Sequence, residues 1–469
     1  MFRRLAILSF ACAFLVGCGM APRYHRPEAP VAANWPSGPA YKVSSAPSDA
    51  PAAADLKWRA FFVVPQLQQL IELALATNRD LRVAALNVEK SRAQFRIRRA
   101  DLLPTLAVAG SAAAERLPAD ISATGQTMIA RNDNLSVGLS SFEVDLFGRV
   151  GSLKDQALKQ YLASEQARLS VQISLVAEVA NNYLTLAADR ERLQLARDTL
   201  ESQQSSYRLV ERRFAAGVSS ELDLRQAQTS VDAARVDVAR FTNLVAQDEN
   251  LLTLVVGAQL PQELLPSGLS AVGTLRELPP GVPSEVLQRR PDVLKAELQL
   301  MAANANIGAA RAAFFPRITL TSSIGTASDQ LSGLFSPGSL AWGFVSQLSL
   351  PIFDYGRNKA GLTVAERDRD IFLARYEKAI QSAFREVADA LAQNGTLGEQ
   401  LQAQQSLTEA TSESYRLAQA RYQGGVTSYL DVLDSQRAFY GAQQGLISVN
   451  LTRLSNQVTL YKVLGGGSE

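Results

Sequence analysis

The chain has 469 residues, with 47 basic and 45 acidic side chains, one histidine and two cysteines. So few His and Cys residues exclude most zinc, haem, thiol and His-dependent triad chemistry. Charges of both signs are interspersed, which gives no electrostatic reason to expect nucleic acid.

Length alone suggests about three domains. Proline placement is more informative: the 19 prolines leave the stretches 119–260 and 352–469 empty. Proline is costly inside a helix, so both stretches read as very long helical blocks.

In chain order, Met1 to Arg4 form a short basic start, followed by the apolar run Leu5 to Val16. That run is too short to span a bilayer and fits a secretory signal, residues 1–17. It ends in Leu15-Val16-Gly17-Cys18, a lipobox that predicts lipidation of Cys18. A diacylglycerol thioether plus an N-acyl chain would hold the mature protein stably at a membrane. Gly19 after the cysteine, rather than Asp, predicts delivery to the outer membrane. With the signal removed, basic and acidic residues balance and no thiol remains for a disulfide. Residues 18–62 then read as a lipidated N-terminus and an extended strap, with seven prolines between Pro22 and Pro51.

The rest repeats itself. Tyr207 to Gln228 matches Tyr415 to Gln436 at an offset of 208, with ten identities in 22 positions. Gly148-Arg149 pairs with Gly356-Arg357 at the same offset. Asp80, Ala84, Leu86, Arg99, Ala100 and Pro104 pair with Asp292, Ala296, Leu298, Arg311, Ala312 and Pro316. The three-domain expectation is replaced by one unit used twice, over 63–270 and 271–469.

Each unit predicts a helix (66–101 or 284–313), two β-like segments, a long helix, a Gly-Val-x-Ser turn and a shorter helix. The long and short helices should run to about 65 and 38 residues, roughly 95 and 55 Å at helical rise. Apolar and Ala positions recur at three–four spacing, as in Leu169, Ile173, Val176, Ala180 and Leu184, predicting coiled-coil-like packing. Gly217 and Gly425 fit left-handed helix ends. Ser220-x-x-Asp223 and Ser428-x-x-Asp431 fit capping boxes that start the next helices.

The β-like segments alternate. Trp342, Phe344, Leu348, Leu350 and Ile352 face one way, as do Ile318, Leu320 and Ile324, and Leu135, Val137 and Leu139; Thr105 to Ala114 is weaker. Taken alone, this pattern also suits a soluble antiparallel sheet. With the lipobox, it predicts membrane strands. Four strands cannot close a barrel and a membrane tolerates no open edge, so several copies must share one barrel; three would give twelve strands.

Several runs carry a resemblance: Arg289-Arg290-Pro291-Asp292, Ala303-Asn304-Ala305-Asn306-Ile307-Gly308 continuing to Pro316, and Leu417 to Asp434. Trp58-Arg59 with Phe61, and Asn78 to Leu81, fit as well. With these the chain resembles the outer membrane efflux protein (TolC-like) family, and more closely its lipidated NodT/OprM-type branch. The resemblance implies a mainly α protein with a transmembrane β-barrel part. It would be a homotrimer, with twelve strands in the outer membrane above a twelve-helix periplasmic α-barrel.

The implied function is a passive exit duct for drugs or other small toxic compounds. It would work with a periplasmic adaptor and an inner-membrane RND-type transporter, with no catalytic site and no cofactor beyond the Cys18 lipid. The resemblance further makes Asp431 and Asp434 the aperture carboxylates and Asp223 and Tyr422 a closed-state latch. It makes Gly217, Val218, Gly425 and Val426 the adaptor-contacting tips. Two other readings stay open: a type I protein-secretion duct of the same fold, and a lipid-tethered coiled-coil scaffold without a pore. Arg96, Arg98 and Arg99 read as a solvated face, His25 has no ligand partners, and Gly465 to Gly467 reads as a flexible tail.

Overall fold

A computed structural model of the chain describes residues 19–42, 53–272, 275, 278 and 283–467. Cys18 and the signal lie outside them. The elements in chain order are α1 (Pro65–Thr77), α2 (Arg79–Ala100), β1 (Leu106–Leu117), β2 (Met128–Val144), α3 (Arg149–Ala215) and α4 (Glu221–Val256). The second half repeats the order with α5 (Pro283–Arg289), α6 (Pro291–Ala312), β3 (Arg317–Ser328), β4 (Leu340–Ser349), α7 (Arg357–Gln423) and α8 (Tyr429–Val463). The long helices α3 and α7 have 67 residues each, which is about 100 Å of helix. Among the described residues no helix is long and apolar enough to cross a membrane. Two compact units divide the chain.

The first unit combines 87–164 and 295–376 with the start of the strap. Its sheet is an antiparallel meander in the order β1-β2-β3-β4. Direct partners place Val108, Val137, Ile324 and Trp342 in one row across all four strands. Partners in register share a face, and every member of this row is exposed. Gly138 and Gly325 permit the close β2–β3 approach, because a Cβ would lie 2.0 Å from the Ser322 carbonyl or 2.1 Å from that of Leu135. The β2–β3 register shifts between Leu139 and Phe142, where Ser141 takes φ 46°. β4 ends at Ser349, short of the expected Ile352, because Pro351 has no N–H to continue the ladder.

The strap lies against α6 in this unit. Arg26 grips Glu297 with two bonds of 2.6 and 2.7 Å, and the Tyr24 hydroxyl donates to the same carboxylate at 3.1 Å. Asn304 donates to the Pro22 carbonyl and Arg311 to that of Met20. The bare face of Gly308 accepts Ala21 between them. Positions 297, 304, 308 and 311 share one face of the helix, so the strap follows it.

The second unit combines 29–86, 165–294 and 377–469. Its core gathers Phe61, Phe62, Leu67, Leu70 and Ile71 with Leu184, Leu252 and Tyr461. Tyr461 stacks on Phe61 at 4.1 Å and donates its hydroxyl to the Leu56 carbonyl. Gly465 to Gly467, expected as a flexible tail, are buried instead. Gly466 lies on the Tyr461 ring, where a Cβ would come within 2.1 Å of it.

Both expected long first helices are broken in two. Asn78 separates α1 from α2: its side chain caps Leu81 N–H and donates to the Val255 carbonyl at the end of α4. Arg290 separates α5 from α6 and donates to the Val463 carbonyl at the end of α8. Arg290 is buried and paired with Asp292 and Glu386, both at 2.7 Å. The two repeats therefore solve one junction with different chemistry, an amide in the first and a guanidinium in the second.

Candidate functional site

The two turns at the ends of α3 and α7 form the candidate site, and all of its residues belong to the second unit. Gly217 (φ 75°) and Gly425 (φ 73°) are left-handed. The N–H of Val218 bonds to the Arg213 carbonyl and that of Gly217 to Phe214, the paired bonds of a Schellman end. Val426 to Arg421 and Gly425 to Tyr422 repeat this pattern. The geometry leaves Val218 and Val426 pointing outward, 66% and 68% exposed, beside exposed Leu222 and Leu430.

The next helices start differently. Ser220 and Asp223 close a complete capping box: the Ser220 hydroxyl accepts from Asp223 N–H, and the Asp223 carboxylate accepts from Ser220 N–H. Ser219 donates a second bond to that carboxylate. Burial alone would raise the Asp223 pKa, but these bonds and the Arg213 charge outweigh it and hold the carboxyl below its usual range. Ser428 makes no side-chain cap bond, so the expected second box is not formed. Asp431 is exposed. Asp434 is exposed as well, with Arg437 as a loose partner at 3.5 Å.

Tyr422 is buried in an aromatic cluster with Tyr429, Val210, Ala227, Val432 and Leu433. Its ring lies 5.3 Å from that of Tyr429, and the Arg213 guanidinium covers it at 4.7 Å. Burial, then the neighbouring Tyr422, Tyr415 and Asp223, pushes the Tyr429 hydroxyl up to about 12. Arg213 thus faces both proposed latch residues, the ring of Tyr422 and the charge of Asp223. The sequence alone did not single out Arg213 at this turn; its signal was the Arg213/Arg421 identity between repeats. Farther along the hairpins, the Tyr440 hydroxyl donates to Asp237 at 3.0 Å and ties α8 to α4. Among the described residues no cluster of His, Cys, Asp and Glu has the makings of a metal site.

The family described as outer membrane efflux protein matches twice, over residues 70–258 and 282–466. The antibiotic efflux pump outer membrane protein ArpC of Pseudomonas putida is 50% identical over all of this chain and 96% of its own length. The toluene efflux pump outer membrane protein TtgC, also of Pseudomonas putida, shows the same identity and coverage. Among solved structures, the open state of the Neisseria gonorrhoeae MtrE outer membrane channel superposes with a TM-score of 0.86 at 39% identity, covering 96% of this chain and 99% of that one. Matched twice by one family and related along its whole length to efflux pump proteins, the chain belongs to the outer membrane efflux protein family and is a TolC-like outer-membrane channel component of an efflux pump.

Proposed function

We propose that three copies of this chain share one twelve-strand barrel in the outer membrane and one helical duct below it. The duct passively conducts small toxic compounds, in the range of the aromatic solvents and antibiotics named for its relatives. The observation that carries this reading is the exposed row Val108, Val137, Ile324 and Trp342 on a sheet whose end strands β1 and β4 are each paired on one side only among the described residues. Such a face is favourable against lipid, and such edges are tolerable there only when another copy pairs with them.

The lipid on Cys18 anchors the strap. A periplasmic adaptor meets the apolar knobs Val218 and Val426, and an inner-membrane RND-type transporter supplies the energy. On a threefold axis, Asp431 and Asp434 become rings of carboxylates that narrow the entrance and attract cations. Asp223 and Tyr422, joined through Arg213, latch the hairpins when the entrance is closed.

Planar-bilayer recording on the purified full-length protein tests this reading. The wild type should give a small, cation-preferring conductance, and Asp434→Ala with Asp431→Ala should enlarge it severalfold while weakening the preference. Absence of a pore in both forms, or identical conductance and selectivity, would overturn the proposal.

A further inference from the structure

The junction between α1 and α2 is sealed in the first repeat. The Thr77 hydroxyl donates to the Val256 carbonyl at 2.7 Å, and a Cβ on Gly257 would come within 2.8 Å of the Thr77 carbonyl. At the matching junction of the second repeat, Arg290 and Pro291 instead line a cavity of about 730 Å³ that α3, α7 and α8 complete. Ile173, Ala177, Ala390 and Val463 give it a buried apolar floor, and Glu178, Asp389 and Lys462 an exposed charged rim. Asn181, in its α3 wall, is separated from the turn at Gly217 by about 50 Å of helix, so the cavity is distinct from the hairpin tips.

Two amide oxygens of the lining have no hydrogen-bond partner, Oδ1 of Asn181 and Oδ1 of Asn456 on α8. Asn456 is only 2% exposed, and its Nδ2 donates to the Ala390 carbonyl at 3.1 Å, which leaves the oxygen as an unused acceptor. A buried acceptor without a donor is costly, so the pair calls for a ligand that brings N–H or O–H groups. Charge narrows the choice. The lining holds four carboxylates, Glu178, Asp292, Glu386 and Asp389, against two cations, Arg290 and Lys462. Arg290 is already committed to Asp292 and Glu386, both at 2.7 Å, and to the Val463 carbonyl at 3.0 Å. Arg385 approaches Asp389 only to 3.9 Å, and both side chains are exposed. The volume suits an organic molecule, and among the described residues no group of carboxylates converges as a metal site requires.

We propose that this cavity binds an organic dication, two ammonium groups joined by an apolar spacer. One ammonium donates to the amide oxygens of Asn181 and Asn456, and the other meets the rim carboxylates Glu178 and Asp389 in charge-assisted bonds. The spacer lies on the apolar floor. Two positive charges match the excess of two carboxylates over cations in the lining. Arg290 acts as a positioning residue, since it fixes Glu386 and the end of α8 around the cavity without offering the ligand an acceptor.

Titration calorimetry on the full-length protein in a non-ionic detergent tests the idea without relying on pore formation. Hexane-1,6-diamine, doubly charged at pH 7, should bind saturably with one molecule per chain, and the uncharged hexane-1,6-diol should not. Asn456→Leu removes the buried acceptor and should weaken the diamine at least tenfold. Glu178→Gln combined with Asp389→Asn changes only exposed positions, so the fold and its thermal midpoint should be kept while affinity falls about fivefold. This second variant decides the matter even if Asn456→Leu does not fold. Absence of saturable diamine binding, equal binding of the diol, tighter binding of magnesium chloride in competition with the diamine, or unchanged affinity in the folded rim variant would overturn the proposal.

Discussion

Identical spacing at the two hairpin turns conceals different hydrogen bonding, and this asymmetry gives a measurable difference. Ser220→Ala removes the side-chain acceptor of a bond of 3.1 Å from Asp223 N–H and unsupports the reciprocal bond of 3.0 Å from Ser220 N–H. Loss of such a cap costs about 1 kcal/mol, which corresponds to roughly a fivefold rise in the population of the frayed turn. Ser428→Ala removes a hydroxyl that makes no cap bond and should change stability by at most a few tenths of a kcal/mol. Hydrogen exchange on peptides covering 216–226 and 424–434 reads both turns in one experiment. The expected result is about fivefold faster exchange at the first turn in Ser220→Ala and no change at the second in Ser428→Ala. Equal responses of the two turns would refute the reasoning, because they would show that spacing rather than the bonds formed sets turn stability.

Two further outcomes follow from packing. Tyr461→Phe keeps the stack on Phe61 but leaves the buried Leu56 carbonyl without its donor, a loss of about 1–3 kcal/mol that should lower the thermal midpoint in detergent. An unchanged midpoint would mean that the hydroxyl is not structurally required. Gly308→Val places carbon where a Cβ already lies 2.6 Å from the Ser152 hydroxyl and 2.7 Å from the Ala21 nitrogen, so the strap must lift from α6. Protease added to the purified protein should then cut within residues 19–26 faster than in the wild type, and an unaltered cleavage rate would contradict the packing.

Much of the scaffold was legible because it is written in local chemistry. Proline exclusion marked the long helices, and glycine with serine marked their turns; α3 and α7 have 67 residues where about 65 were expected, and α4 has 36 where about 38 were expected. The breaks at Asn78 and Arg290 were harder to see. A one-residue interruption leaves the apolar pattern on either side intact, and the partners that stabilise each break lie far away in sequence, at Val255 and Val463. The same distance hid the seat of Arg213 over Tyr422. The β2–β3 register shift at Ser141 was invisible for another reason: no proline or glycine marks it.

The order β1-β2-β3-β4 gives the two ends of the sheet to different repeats, with β1 from the first and β4 from the second. In a closed ring of identical chains, the β4 edge of each copy must then meet the β1 edge of the next, a heterologous contact that closes by rotation. Damage confined to either edge strand spoils two neighbours at once. In a cell making normal and damaged chains in equal amounts, only about one in eight three-membered rings would contain no faulty copy. Lesions at these edges should therefore be dominant, whereas lesions in the β2–β3 seam spoil the chain before it reaches a ring and should be recessive.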